Sequence, residues 1–149
     1  MRAVIQRVSA ASVRVGDRVV GEIGAGLVAL VGVARDDDAS DADIIAAKIA
    51  SLRVFDDSAG AMNLAVAEIG GAVLAVSQFT LYGDVRKGRR PSFIAAAPAG
   101  QARPLFDQVV ERLRSAGVRA QTGEFGAEMF VTLINDGPVT ILVDSRKTF

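Results

Sequence analysis

Residues 71–84 read GAVLAVSQFTLYGD. The first half, Gly71–Val76, is a run of small apolar residues with the pattern of a buried strand. The second half turns polar at Ser77, Gln78, Thr80 and Tyr82. Buried strands do not usually end in so much unpaired hydrogen-bonding capacity. The stretch therefore sets two expectations: a strand inside a sheet, and a strand end that meets something polar. Alone, it fits a plain strand end with a polar turn equally well.

The flanking sequence supplies the rest of the sheet. RAVIQRVSAASVRV alternates in part and reads as a strand running into a second strand, SVRVG. DRVVGEIG then reads as the return arm of a hairpin with Gly16 and Asp17 at its turn. Gly26–Ala34, GLVALVGVA, is almost wholly apolar and predicts a central strand. The period then changes. Ile44, Ile45, Lys48, Ile49 and Leu52 show helical spacing, which predicts a helix over about Ala39 to Arg53, with Ser40 three residues before Asp43 as its N-cap arrangement. DDSAGAMN reads as loop. LAVAEIGG reads either as a short strand or as a helical turn ended by Gly70 and Gly71. A second helix is predicted in AGQARPLFDQVVERLRSAG, with Leu105, Phe106, Val109, Val110 and Leu113 on one face and Gly117 as its stop. The remaining sequence reads as strands on either side of Gly123 and of the Asn-Asp-Gly at 135–137. The expectation is a single mixed α/β domain over residues 1–149, with a strand-rich, barrel-like core and two main helices. Two helices are too few for about seven strands in a doubly wound sheet.

Composition narrows the chemistry. Half of the 149 residues are apolar, enough for a real core. No apolar run approaches the ~20 residues of a membrane span, and the N-terminus is too polar for a signal peptide. A cytoplasmic protein that enters no membrane is expected. Lys plus Arg and Asp plus Glu balance at 17 each, which argues against coating long nucleic acid but allows contact with one end. There is no His and no Cys. That excludes Ser-His-Asp and Cys-His catalysis, thiolate chemistry and zinc sites built on those residues. No cofactor and no metal are expected.

Three stretches carry possible chemistry. In SQFTLYGD, Ser77 or Thr80 as a nucleophile would need a base, and Lys48, Lys87 and Lys147 are the only lysines. In NDGPVT, Asn135–Thr140, the plain reading is a hairpin turn with Pro138 opening the next strand. A cis Gly137–Pro138 bond would instead let two successive carbonyls face a pocket. In RKGRRPSF, the cations Arg86, Lys87, Arg89 and Arg90 lie near Tyr82 and Phe93. Such a cluster is usually a solvated loop, and otherwise a phosphate contact with aromatic stacking beside it.

Three blocks in this order, MRAVIQRVSAASVRV, SQFTLYGDVRKGRRPSF and FGAEMFVTLINDGPVTILVDS, resemble the bacterial D-aminoacyl-tRNA deacylase (D-tyrosyl-tRNA deacylase) family from end to end. The resemblance implies hydrolysis of the ester between a D-amino acid and the terminal adenosine of tRNA, with glycine on the wrong tRNA also removed. It implies a homodimer with active sites at the subunit interface, where Gly137–Pro138 of one subunit, in cis, enters the site of the other. The carbonyls there would hold the substrate's α-amino group and exclude an L side chain. Ser77 and Gln78 would meet the terminal nucleotide, and the N–H groups of Phe79 and Thr80 would receive the oxyanion. Phe125 and Met129 match positions of an apolar adenine pocket, or ordinary core. The 2′-hydroxyl of the ribose would assist the attacking water, and Asn135 would brace the turn. Two other readings stand beside this one: a small-ester hydrolase with Thr80 as nucleophile, and a tRNA-end-binding module without turnover.

Overall fold

The computed structural model describes all 149 residues, Met1–Phe149. Its centre is formed by the two predicted apolar strands, β3 (Gly26–Gly32) and β6 (Ala72–Ser77), which pair in parallel, in register from Gly26 opposite Ala72 to Val31 opposite Ser77. Both strands are apolar on both faces because both faces are covered. Leu27, Ala29, Val31, Val73 and Ala75 face a core shared with the helices. Val28, Leu74 and Val76 face a second core inside the curved sheet, together with Val8, Val13 and Ile23.

The N-terminal segment is one strand rather than two. β1 (Arg2–Val15) pairs with β3 through its first half and with β2 (Arg18–Ile23) through its second. The shift falls inside an unbroken strand, so the sequence pattern changes where the partner changes. The β1–β2 turn holds Gly16 at φ +56° as expected. β7 (Arg119–Thr122) extends the sheet beyond β6. β2 curls back to meet it: the Glu22 N–H donates to the Gln121 side chain at 3.0 Å. The sheet is thereby nearly closed into a barrel. Residues 55–64 contain a small two-stranded ribbon, β4 (Phe55–Asp56) with β5 (Met62–Leu64), where the sequence suggests mostly loop. Residues 66–70 form a turn rather than a strand.

The two helices supply the crossovers that parallel strands require. α1 (Ala39–Ser51) lies between β3 and β6, and α2 (Ala99–Ser115) between β6 and β7. They cover one face of the sheet with Ile45, Ile49, Phe106, Val109 and Leu113. The N-cap of α1 is Asp38, not Ser40. The Asp38 carboxylate accepts from the N–H groups of Ser40 (2.8 Å) and Asp41 (3.4 Å), and Asp41 accepts from the Asp38 N–H at 3.0 Å. Gly117, at φ +80°, ends α2 as predicted. No helix is long and apolar enough to cross a membrane.

The largest departure is at the C-terminus. Asn-Asp-Gly does not make a hairpin. β8 (Phe130–Asp144) runs straight through it, antiparallel to β1 along nearly the whole of both strands. Thr140 pairs with Gln6 and Asn135 with Val8, so Asp136–Val139 stand opposite Arg7 alone as a wide bulge. The Gly137–Pro138 peptide in it is cis.

Candidate active site

The polar strand end opens onto a cavity. Where β6 stops at Ser77, the chain folds into a 3₁₀ turn, Phe79–Tyr82. Gly32, at the end of β3, makes room for it. A side chain there would come within 2.9 Å of the Gln78 carbonyl and 3.1 Å of Leu81 Cβ. The Gln78 N–H continues the sheet by donating to Val31 at 2.8 Å, and Arg2 reaches the Leu81 carbonyl at 3.3 Å. The turn is thus fixed at both ends. At its start, the N–H groups of Phe79 and Thr80 donate to no acceptor in the chain, as expected for the first turn of a helix.

A pocket of about 480 Å³ lies against this turn. Ser77, Gln78 and Phe79 line one wall and Phe125 and Met129 another, so five of the sequence candidates come together. Thr80, the residue after Phe79, does not line the pocket. Its hydroxyl accepts from the Gln78 side-chain amide. Gly137 and Pro138 are exposed and line no part of this pocket.

Sequence reasoning missed the pocket floor. Ala97, Ala99 and Ala102, from the alanine-rich segment before and inside α2, leave the volume that larger side chains would fill. Phe106 lines it from α2, with its ring 6.1 Å from that of Phe125. The lining is overwhelmingly apolar, with polar groups concentrated at Ser77 and Gln78. That suits a flat, apolar-faced ligand with a polar end.

The electrostatics offer no general base. Tyr82 is half-buried beneath the Arg2 guanidinium, 4.7 Å from its ring centre. Burial first, and then the Asp37 and Asp144 carboxylates, hold its hydroxyl well above the ordinary tyrosine range, so it stays a neutral phenol. No lysine side chain makes a hydrogen bond anywhere in the chain, so none is poised to activate Thr80. No three Asp or Glu side chains converge as metal ligands.

The Asp136–Val139 bulge is a second built element. Arg7 is buried in the strand opposite. Its guanidinium donates to the Val54 carbonyl (2.7 Å) and the Asp136 carbonyl (3.3 Å), and lies 3.3 Å from the Asp136 carboxylate. Asn135 donates to the carbonyls of Arg7 and Val139, both at 2.9 Å, so it braces the bulge. Gly137 sits at φ +118°, where a side chain would meet the Val139 nitrogen at 3.0 Å. Sequence reasoning did not single out Arg7, although it shares the phase of Ala3 and Ile5, the buried face of β1.

A family model described as D-Tyr-tRNA(Tyr) deacylase matches residues 4–144. The chain belongs to this family. Two relatives named D-aminoacyl-tRNA deacylase, from Symbiobacterium thermophilum and Anaeromyxobacter dehalogenans, are each 61% identical over 149 residues. Those matches cover 100% of this chain, with 99% of the first relative and 100% of the second. A solved structure of a protein described as c-Myc DNA Unwinding Element Binding Protein is 40% identical. It has a TM-score of 0.90 and covers 97% of this chain and 98% of its own. A probable eukaryotic D-amino acid tRNA deacylase is 20% identical with a TM-score of 0.82, covering 96% of this chain and 98% of its own; it attests the fold. The deacylase family's mixed α/β fold and the pocket described above coincide in one chain.

Proposed function

We propose that this protein is a hydrolase that cleaves the ester between a D-amino acid and the terminal adenosine of tRNA, releasing free D-amino acid and tRNA. Glycine carried on the wrong tRNA is a second substrate. The observation that carries the reading is the strand end at Ser77–Thr80: two unpaired N–H groups beside an apolar pocket, in a chain of the deacylase family.

The adenine occupies the pocket against Phe125 and Met129, with Ser77 and Gln78 at its polar edge. Water adds to the ester carbonyl carbon. The carbonyl oxygen takes up negative charge, and the N–H groups of Phe79 and Thr80 stabilise it, a contribution of about 3 kcal/mol per donor in comparable sites. The intermediate then expels the ribose oxygen, which takes up the proton that the attacking water gives up and leaves as the hydroxyl of tRNA. The neighbouring 2′-hydroxyl orients the water, so the RNA supplies a group this histidine-free chain lacks.

The chiral filter is the backbone at Gly137–Pro138. It lies outside the pocket of its own chain, so it serves the pocket of a second copy. Supporting this dimer, β8 pairs only with β1 and leaves its other edge free, with Phe130, Ile134 and Leu142 exposed. Rigid backbone suits the task, because D and L isomers carry the same groups and differ only in where they point. A tRNA substrate also agrees with a cytoplasmic protein.

A covalent route through Thr80 is disfavoured by its hydrogen bond to Gln78, an amide that cannot take the proton. The test is hydrolysis of D-tyrosyl-tRNA beside L-tyrosyl-tRNA by purified protein, with and without a chelator. Release from the D ester alone, unchanged by chelator, is expected. Release from both would refute the filter, and binding without release from either would make this an RNA-end-binding module.

A further inference from the structure

The segment that follows the 3₁₀ turn has no part in the hydrolysis just described. Residues 83–93 leave the site, turn, and come back. Asp84 and Ser92 pair at the neck, N–H to carbonyl in both directions at 2.8 and 2.9 Å. Phe93 closes the neck against Phe79, ring edge to ring face, at 5.0 Å. Phe79 itself lines the pocket. The loop is therefore anchored to the pocket wall.

Its cations are not used within the fold. Of the 17 Lys and Arg side chains, only Lys48, Lys87, Arg89, Arg90 and Lys147 make neither an ion pair nor a hydrogen bond. Three of these five are consecutive cations of this one loop, and all three are exposed. Arg86 is the exception and shows the contrast. It is locked onto Asp84, with its Nη2 2.7 Å from the carboxylate, and holds that carboxyl far below the ordinary range. With Asp84 neutralised by Arg86, the tip carries only positive charge in a protein of zero net charge. Around it, large apolar side chains are left in solvent: Phe79 is 57% exposed, Phe93 38%, Val85 62% and Ile94 77%.

Unpaired cations beside exposed aromatic rings are the composition of a surface for single-stranded nucleic acid: phosphates meet the cations and bases lie on the rings. We propose that Lys87, Arg89 and Arg90 bind the phosphates of the single-stranded nucleotides just upstream of the terminal adenosine, with Phe93 and Phe79 offering the stacking surface. This rests on the reading of the pocket as the seat of that adenosine. The chain thereby gains affinity for an RNA end without a basic surface that would hold RNA elsewhere.

The test compares the wild-type protein with the triple variant Lys87→Ala/Arg89→Ala/Arg90→Ala. Two readouts are taken: binding of a fluorescein-labelled six-nucleotide RNA ending in adenosine across a salt series, and hydrolysis of D-tyrosyl-adenosine, which has no phosphate. The variant is expected to bind the RNA at least tenfold more weakly. Its dependence of log affinity on log salt should be shallower by about two, from ~0.7 per phosphate on a single strand. Its rate on D-tyrosyl-adenosine should equal that of wild type, which also shows that the fold is intact. Unchanged RNA affinity and salt slope would overturn the proposal, as would an equal loss on D-tyrosyl-adenosine. If wild type hydrolyses no ester, the deacylase reading fails on that readout, and the binding readout still decides the loop.

Discussion

Thr80 and Arg7 are where single side chains separate the competing accounts. If the Thr80 N–H is the working group and its hydroxyl is not, Thr80→Ala retains substantial deacylation of D-tyrosyl-tRNA, within about tenfold of wild type. Loss of a true nucleophile costs orders of magnitude more. Single-turnover rates distinguish the two. Arg7 supports the bulge from beneath. Arg7→Met keeps the volume but leaves the carbonyls of Val54 and Asp136 unpaired. Chemical denaturation should show a loss of about 2 kcal/mol, and hydrolysis of L-tyrosyl-tRNA should rise as the proposed filter loosens. The polar residues at 77 and 78 were legible in the sequence because a strand end with unspent hydrogen-bonding groups is unusual. Arg7 was not, because the carbonyls it holds, those of Val54 and Asp136, lie far away along the chain.

The elements show the same division between local and distant causes. The helices were readable because their apolar spacing, and the glycine stop of α2, are local. The N-cap was misplaced by two residues because Asp38 and Ser40 are both good caps, and only the contacts decide. β8 was misread at Asn-Asp-Gly because a turn signature is local, whereas its conversion to a bulge is imposed by β1 running alongside. The resemblance implied the cis bond at Gly137–Pro138, and neither it nor turn chemistry implied the bulge. The ends of α1 and β8 also give a pH dependence. Asp41, in the first turn of α1, accepts from the Ser145 hydroxyl just beyond β8 at 2.5 Å. Burial disfavours its charge, but that hydroxyl, the Asp38 N–H and nearby cations outweigh burial and lower its pKa. A depressed carboxylate contributes stability that is present above about pH 4 and lost as pH falls through its folded value. Unfolding curves between pH 7 and pH 2.5 should therefore fall more steeply for wild type than for Asp41→Asn.

In the whole molecule, the pocket and the Gly137–Pro138 bulge are separate, and the proposed dimer joins two copies through the exposed side of β8. Ile134→Asp with Leu142→Asp places two charges on that apolar side without touching the pocket. Sedimentation should then report a monomer, and deacylation should fall with dimer content, while the fold persists by circular dichroism. The sheet and its helical cover were legible in the sequence of one chain. The proposed sharing of the site between two chains is not, because no pattern within one chain marks what its outer face will meet.

The measurement that bears most directly on this account is subunit mixing. Ala99→Trp fills the pocket from the start of α2 and leaves the bulge intact. Gly137→Val distorts the bulge and leaves the pocket intact. Each variant alone should be inactive on D-tyrosyl-tRNA. After dissociation and reassociation in equal amounts, each mixed dimer has one undamaged pocket facing one undamaged bulge. Activity should return to about a quarter of wild type, as random pairing in a two-fold dimer dictates. A mixture that stays inactive, although mixed dimers form, would contradict the account and return both elements to a single chain.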